Sequence, residues 1–179
     1  KVTVGSLNME AIDYEVDSNV FVVSETNDIN VEPFGTFGRM RVHTPMWWRS
    51  ANHLTFQVPL NVTGAGTLNF QSDSDEDAMG TISFNSAANI TLKDSTMQQI
   101  VITGADFILE SYLEAIQANV TIQVSNYTGA SLSVGANHGG LHLSDVELDR
   151  ITTATSLTLG SLQTDRIYVD GITHSDTPA

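Results

Sequence analysis

An approximate internal repeat of about fifty residues constrains this chain most, because self-similarity at such a period marks a stacked, quasi-linear architecture. Ile82-Ser83-Phe84, Ile90-Thr91-Leu92, Met97 and Ile100 have counterparts in Leu132-Ser133-Val134, Leu141-His142-Leu143, Leu148 and Ile151. The match continues from Phe107-Ile108-Leu109 and Val120-Thr121-Ile122 to Leu157-Thr158-Leu159 and Ile167-Tyr168-Val169. Each copy, 81–129 and 131–179, reads as several short strands separated by small and polar residues. Ahead of the first copy, Leu54, Phe56, Val58, Leu60, Val62, Leu68 and Phe70 alternate largely with Thr, Gln, Asn and other residues. That alternation buries one face of a strand and wets the other. About 25 residues per turn, with two turns per repeat, suits a parallel β-helix, so the expected fold is an all-β parallel β-helix (a β-solenoid) over residues 54–179.

Residues 1–53 read differently. Asn19 to Val23 and Ile29 to Val31 are strand-like, and between them lies the turn-forming stretch Ser24 to Asp28. Phe34-Gly35-Thr36-Phe37-Gly38 and Pro45-Met46-Trp47-Trp48 follow. This segment is expected to be an irregular β-rich leader that caps the open end of the solenoid, or a set of further, degenerate turns. Two sites fit a helix-starting capping box, Ser95-Thr96-Met97-Gln98 and Ser144-Asp145-Val146-Glu147, and they stand at matching places in the two copies. The stretch 106–117 carries both strand and helix spacing and stays open between them.

Composition narrows the partners. The chain has 179 residues, with 7 Lys and Arg against 21 Asp and Glu, for a formal charge of −14. A nucleic-acid surface needs clustered Lys and Arg against phosphates, and an anionic membrane surface needs the same. Neither partner is expected. There is no cysteine, which excludes thiol chemistry and Cys-ligated metal sites. No apolar run has the length of a membrane span, so no membrane insertion is expected. The first residue is Lys1 and no signal peptide is present, so the chain is expected to be a processed or excised piece of a longer exported product.

The segment Gly140-Leu-His-Leu-Ser-Asp-Val-Glu-Leu-Asp-Arg-Ile-Thr152 continues with Thr-Ser-Leu-Thr-Leu-Gly160 and with Arg166-Ile-Tyr-Val-Asp-Gly171. It resembles repeats of filamentous-haemagglutinin-like surface proteins over about the last forty residues. Ala87-Ala88-Asn89-Ile90-Thr91-Leu92 is similar to strands of the same group. The resemblance implies a right-handed β-helix in a secreted adhesin or surface filament. That family is defined by shape and export, so it brings no catalytic residues with it.

Other motifs weigh less. Asp73-Ser74-Asp75-Glu76-Asp77 spaces its carboxylates like an EF-hand, but Ala78 stands where the sharp turn needs glycine and Phe84 where the last ligand should be. A solvated loop is the expectation, with a looser calcium loop as the alternative. His138 and His142 would share a face on a helix, but Gly139 and Gly140 argue against one, so both read as surface histidines rather than zinc ligands. Asp145, Glu147 and Asp149 would line up on a strand, whereas the capping box scatters them. No acid–base pair for glycoside cleavage emerges. Trp47, Trp48 and Arg49 could stack on sugar rings, against the commoner use of adjacent tryptophans in a buried junction.

Four sequons, Asn61-Val-Thr, Asn89-Ile-Thr, Asn119-Val-Thr and Asn126-Tyr-Thr, are candidate N-glycosylation sites. The functional expectation is a non-enzymatic structural segment of an extracellular filament, cell-surface appendage or adhesin. It would self-associate by β-helix stacking, meet filament partners or glycans, and need no cofactor and no metal. The alternatives are a carbohydrate-active or carbohydrate-binding β-helix acting on an acidic polysaccharide, for which the basic residues are too few, and a viral tail-fibre segment.

Overall fold

The computed structural model describes residues 2–4, 7–11, 14–16, 19–33, 38–92, 97–126, 128–153 and 155–173. The chain runs through β1 (Val2–Val4), β2 (Leu7–Ala11) and β3 (Tyr14–Val16), then β4 (Val20–Ser24), β5 (Ile29–Pro33) and β6 (Met40–Val42). Next come β7 (Met46–Ser50), β8 (Leu54–Phe56), β9 (Leu60–Val62), β10 (Gly66–Gln71), β11 (Thr81–Phe84) and β12 (Ile90–Thr91). β13 (Met97–Gly104), β14 (Asp106–Leu109), β15 (Leu113–Ala115) and β16 (Asn119–Val124) follow. The last elements are β17 (Ser131–Gly135), β18 (Leu141–Leu143), the short helix α1 (Asp145–Asp149), β19 (Ile151–Thr153), β20 (Ser156–Leu159) and β21 (Arg166–Asp170). The fold is all-β, with parallel sheets.

From β1 to β16 every third strand belongs to the same sheet. Sheet A has the order β1-β4-β7-β10-β13-β16-β20, sheet B β14-β11-β8-β5-β2, and sheet C β19-β15-β12-β9-β6-β3. The pairings within each are parallel, so like residues face like residues along each sheet. On sheet A, Met46, Leu68, Ile100, Val120 and Leu157 form one column, and Val22, Trp48, Phe70, Ile102, Ile122 and Leu159 another. On sheet B, Val31, Phe56, Phe84 and Leu109 line up, and on sheet C so do Met40, Leu60, Ile90, Leu113 and Ile151. Apart from the half-buried Leu157 and Leu159, these side chains are withdrawn from water into one apolar cluster. Alternation explains why: a strand that exposes every second residue can bury Ile, Leu, Val and Phe on one side only.

The strands within residues 1–53 that the structure describes hydrogen bond into the same three sheets as the later ones. Their partners lie at unequal distances along the chain. Ile29 faces Leu54 and Ile82 faces Phe107, each 25 positions on, but Met40 faces Leu60 after 20 and Leu113 faces Ile151 after 38. The fifty-residue correspondence therefore does not coincide with the sheets: Ile100 lies in sheet A and its sequence counterpart Ile151 in sheet C. The cause is an insertion between β16 and α1, where β17 and β18 join β21 in a fourth sheet of order β18-β17-β21.

The open stretch 106–117 resolves as β14 and β15, because Phe107 and Leu109 turn inward onto Ile82 and Phe84. Ser144 is the N-cap of α1, and the reciprocal hydrogen bonds with Glu147 complete the capping box. For the other expected box, Ser95 and Thr96 lie outside the described residues, while Met97 and Gln98 already belong to β13.

Candidate functional site

Where the sheets stop, the apolar interior reaches water. β21 places Ile167 and Val169 opposite the buried Leu132 and Val134, yet they are 50% and 66% exposed. Leu157 and Leu159 on β20 face Val120 and Ile122 and are only half-buried. Among the described residues no strand pairs with the outer edges of β19, β20 or β21. This end therefore offers open backbone ladders beside core-type side chains, which is the composition of an unpaired sheet edge.

Sheet B ends differently. β14 has no strand laddered to its outer edge among the described residues, and side chains satisfy part of its backbone instead. Leu109 N–H donates to Glu147 Oε1 at 3.0 Å, and Arg150 Nη1 donates to the Leu109 carbonyl at 2.6 Å. His142 N–H donates to Asp106 Oδ1 at 3.2 Å. Asp145, Glu147 and Asp149 thus form no common acidic face. Glu147 is spent on the N-terminus of its own helix and on the edge of β14.

The acidic turn after β10 gathers Asp73, Asp75 and Asp77, which offer oxygens within 4.8 Å of one another. Asp73 is fully buried, and its carboxylate is already engaged. Oδ1 accepts from the Ala78 N–H at 3.0 Å, and Oδ2 accepts from the Ser125 hydroxyl. Burial pushes the Asp73 carboxyl above the ordinary aspartate range and the Asp77 side chain adds to this, while Ser125 and the Met79 and Ala78 amides pull the other way. Asp73 therefore ties the turn to Ser125, the residue that follows β16, and Asp75 and Asp77 are exposed.

His138 and His142 go to different partners. His142 Nε2 lies 2.8 Å from the Gly135 carbonyl, whereas the His138 ring stacks on Tyr168 at 5.1 Å and reaches Asp170 at 3.3 Å. Tyr168 also hydrogen bonds Arg166 and pushes that guanidinium further up. His138, Arg166 and Tyr168, together with Gly129, Ser131 and Asp165, border a shallow cleft of about 330 Å³. Alternation alone does not reveal that Arg166 and Tyr168 converge with His138 on one cleft.

The tryptophan pair separates across β7. Trp48 is buried and packs edge-on against Phe56 at 5.2 Å, as a core residue. Trp47 is half-exposed and meets Phe21 of β4 at 5.6 Å. Arg49 follows on the same outward side and holds the Ser74 carbonyl at 3.2 Å.

Asn61 and Asn119 lie on strands, Asn126 on a bend, and Asn89 immediately before β12. Asn89 accepts from the Tyr112 N–H at 3.1 Å, Asn119 from the Ser156 hydroxyl at 2.7 Å, and Asn126 reaches Glu76 at 3.4 Å. These three are exposed, and Asn61 is half-buried on β9. Within the Asn126 sequon, Tyr127 lies outside the described residues.

No protein-family model, no curated protein and no solved structure matches this chain.

Proposed function

We propose that the three sheets are the faces of a right-handed parallel β-helix, and that the protein is a non-enzymatic structural segment of an extracellular filament, appendage or adhesin. Rotation of strands β1 to β16 among sheets A, B and C in turn supports the coiled path, and parallel crossovers within a sheet are right-handed in nearly all proteins. The observation that carries the functional reading is the open end. Leu157, Leu159, Ile167 and Val169 continue buried columns, yet they meet solvent beside unpaired strand edges.

A second copy stacked head to tail would cover them. The outer edges of β1 and β3 are likewise unpaired among the described residues, so the two ends offer parallel ladders of opposite sense. Such a contact is heterologous and propagates into a fibre.

Sedimentation velocity over a wide concentration range, with electron microscopy of the same sample, tests this. Concentration-dependent growth into rods is expected. Substituting Val169→Lys at the open end should abolish it. A monomer at all concentrations, or closed rings of fixed size, would count against the proposal.

A further inference from the structure

We infer that the outer face of sheet A is a binding platform for a neutral polysaccharide, centred on Trp47 and Phe21. Two independent features of that face carry the inference.

The first is the aromatic pair. Phe21 and Trp47 stand opposite each other on adjacent strands, 44% and 50% exposed, with ring centroids 5.6 Å apart. A strand that needs only solubility has no use for two large rings facing water. Aromatic faces carry negative potential, and the polarised C–H bonds of a pyranose ring match it.

The second is what surrounds the pair. Despite a charge of −14, no Asp or Glu occupies an outward position of sheet A among the side chains described on β4, β7, β10, β13, β16 and β20. Arg49 is the one charged residue there. The outward carboxylates sit on the other sheets, with Glu32 and Asp106 on B and Glu114 on C. In their place sheet A presents mainly amides and hydroxyls in register: Asn69 beside Trp47, followed by Val101 and Thr121, and Gln71, Thr103 and Gln123 in the column that runs on from Val23 and Arg49. Gln123 donates to Thr103 at 3.0 Å, which orders the grid.

Neighbouring strands lie about 4.8 Å apart, so these groups recur at roughly the width of one sugar ring. Both donors and acceptors are offered, which is what sugar hydroxyls require. The net charge and the acidic turn beside Arg49 disfavour an anionic glycan. A protein partner is less suited, because a stable interface needs on the order of 1,200–2,000 Å² with an apolar centre. Here the apolar part is two rings and the half-buried Val23 and Val101.

The platform does not depend on stacking of the ends, and the test separates the two. The native protein is run in gels cast with hydroxyethyl cellulose, galactomannan, xyloglucan or polygalacturonate. Retardation by at least one of the three neutral polymers is expected, and none by polygalacturonate. Trp47→Ala and Phe21→Ala should each weaken the binding about tenfold, a loss of about 1.4 kcal/mol, while Tyr112→Ala, an exposed aromatic away from sheet A, should leave it unchanged.

The buried Trp48 reports folding of every variant by its emission. In the wild type, saccharide should shift the emission of the exposed Trp47. No retardation by any neutral polymer, equal retardation of wild type and Trp47→Ala, or preference for polygalacturonate would each overturn the inference. Loss of self-association instead of glycan binding in Trp47→Ala would assign the face to a second copy.

Discussion

Truncating Trp48 to alanine should cost about 3–5 kcal/mol, the range for removing a large aromatic from a packed core, because its ring rests edge-on against Phe56 and faces Phe70 across the ladder. Truncating Trp47 should change stability by no more than about 0.5 kcal/mol, as surface substitutions generally do. Urea unfolding of the two variants checks both, and a similar cost for each would contradict the inward and outward assignment. Asp73 gives a second single-residue expectation. Its folded carboxyl binds a proton more readily than the unfolded one, mainly through burial. The stabilisation this confers is present below the ordinary aspartate range and disappears as pH rises through the raised value. The stability of the wild type relative to Asp73→Asn should therefore fall across that window. Urea midpoints measured at several pH values report it, and parallel curves for the two proteins would show that Asp73 contributes no such linkage.

At the level of elements, side chains from α1 and its C-cap, rather than a further strand, serve the outer edge of sheet B at Leu109. Glu147 takes both the Ser144 and the Leu109 N–H groups, so Glu147→Ala should cost about 1–3 kcal/mol, the penalty for a buried donor left unsatisfied. Glu147→Gln should recover part of it, since glutamine also completes a capping box. Chemical denaturation of both variants decides this, and equal stabilities would mean that water serves the freed Leu109 amide. The capping box itself was legible in the sequence, because Ser and Glu three apart act on their own backbone. The alternation from Leu54 to Val62 was legible for the same local reason, and all five apolar residues are buried. The second destination of Glu147 was not, since Leu109 lies 38 positions away. Nor was the β17–β18 step, in which Leu132 faces Leu141 only nine residues later. That step turns on Gly140, where φ is +73° and any Cβ would come within 2.2 Å of the Ser131 carbonyl oxygen. From sequence, the Gly139-Gly140 pair marks a turn and says nothing of the direction in which the chain leaves it.

Over the whole molecule, the sequence conveys that the chain is a succession of short half-buried strands, but membership of sheets A, B and C depends on spacings between 20 and 38 residues that no fixed period predicts. Exposure at the open end was equally hidden. Leu157 and Ile167 alternate like any core residue, and only the lack of a neighbouring strand among the described residues sets them apart. The aromatic residues are spread unevenly over this stack. Phe56 lies 5.1 Å from Phe84 and 5.4 Å from Phe70, and Phe84 lies 6.3 Å from Phe107, so the heaviest packing joins β8, β10, β11 and β14 in the middle of the molecule. If the sheets are the faces of the proposed coil, each layer leans only on its neighbours, and loss of structure can start at either end and advance inward. Limited proteolysis should accordingly trim the molecule from its ends and pause at a resistant fragment spanning roughly residues 46–109, identifiable by mass spectrometry. All-or-none digestion with no such fragment would show the layers to be fully coupled. Under tension along the stack, the same centre would act as a brake, and the protein would unravel layer by layer from its ends before this aromatic knot gave way.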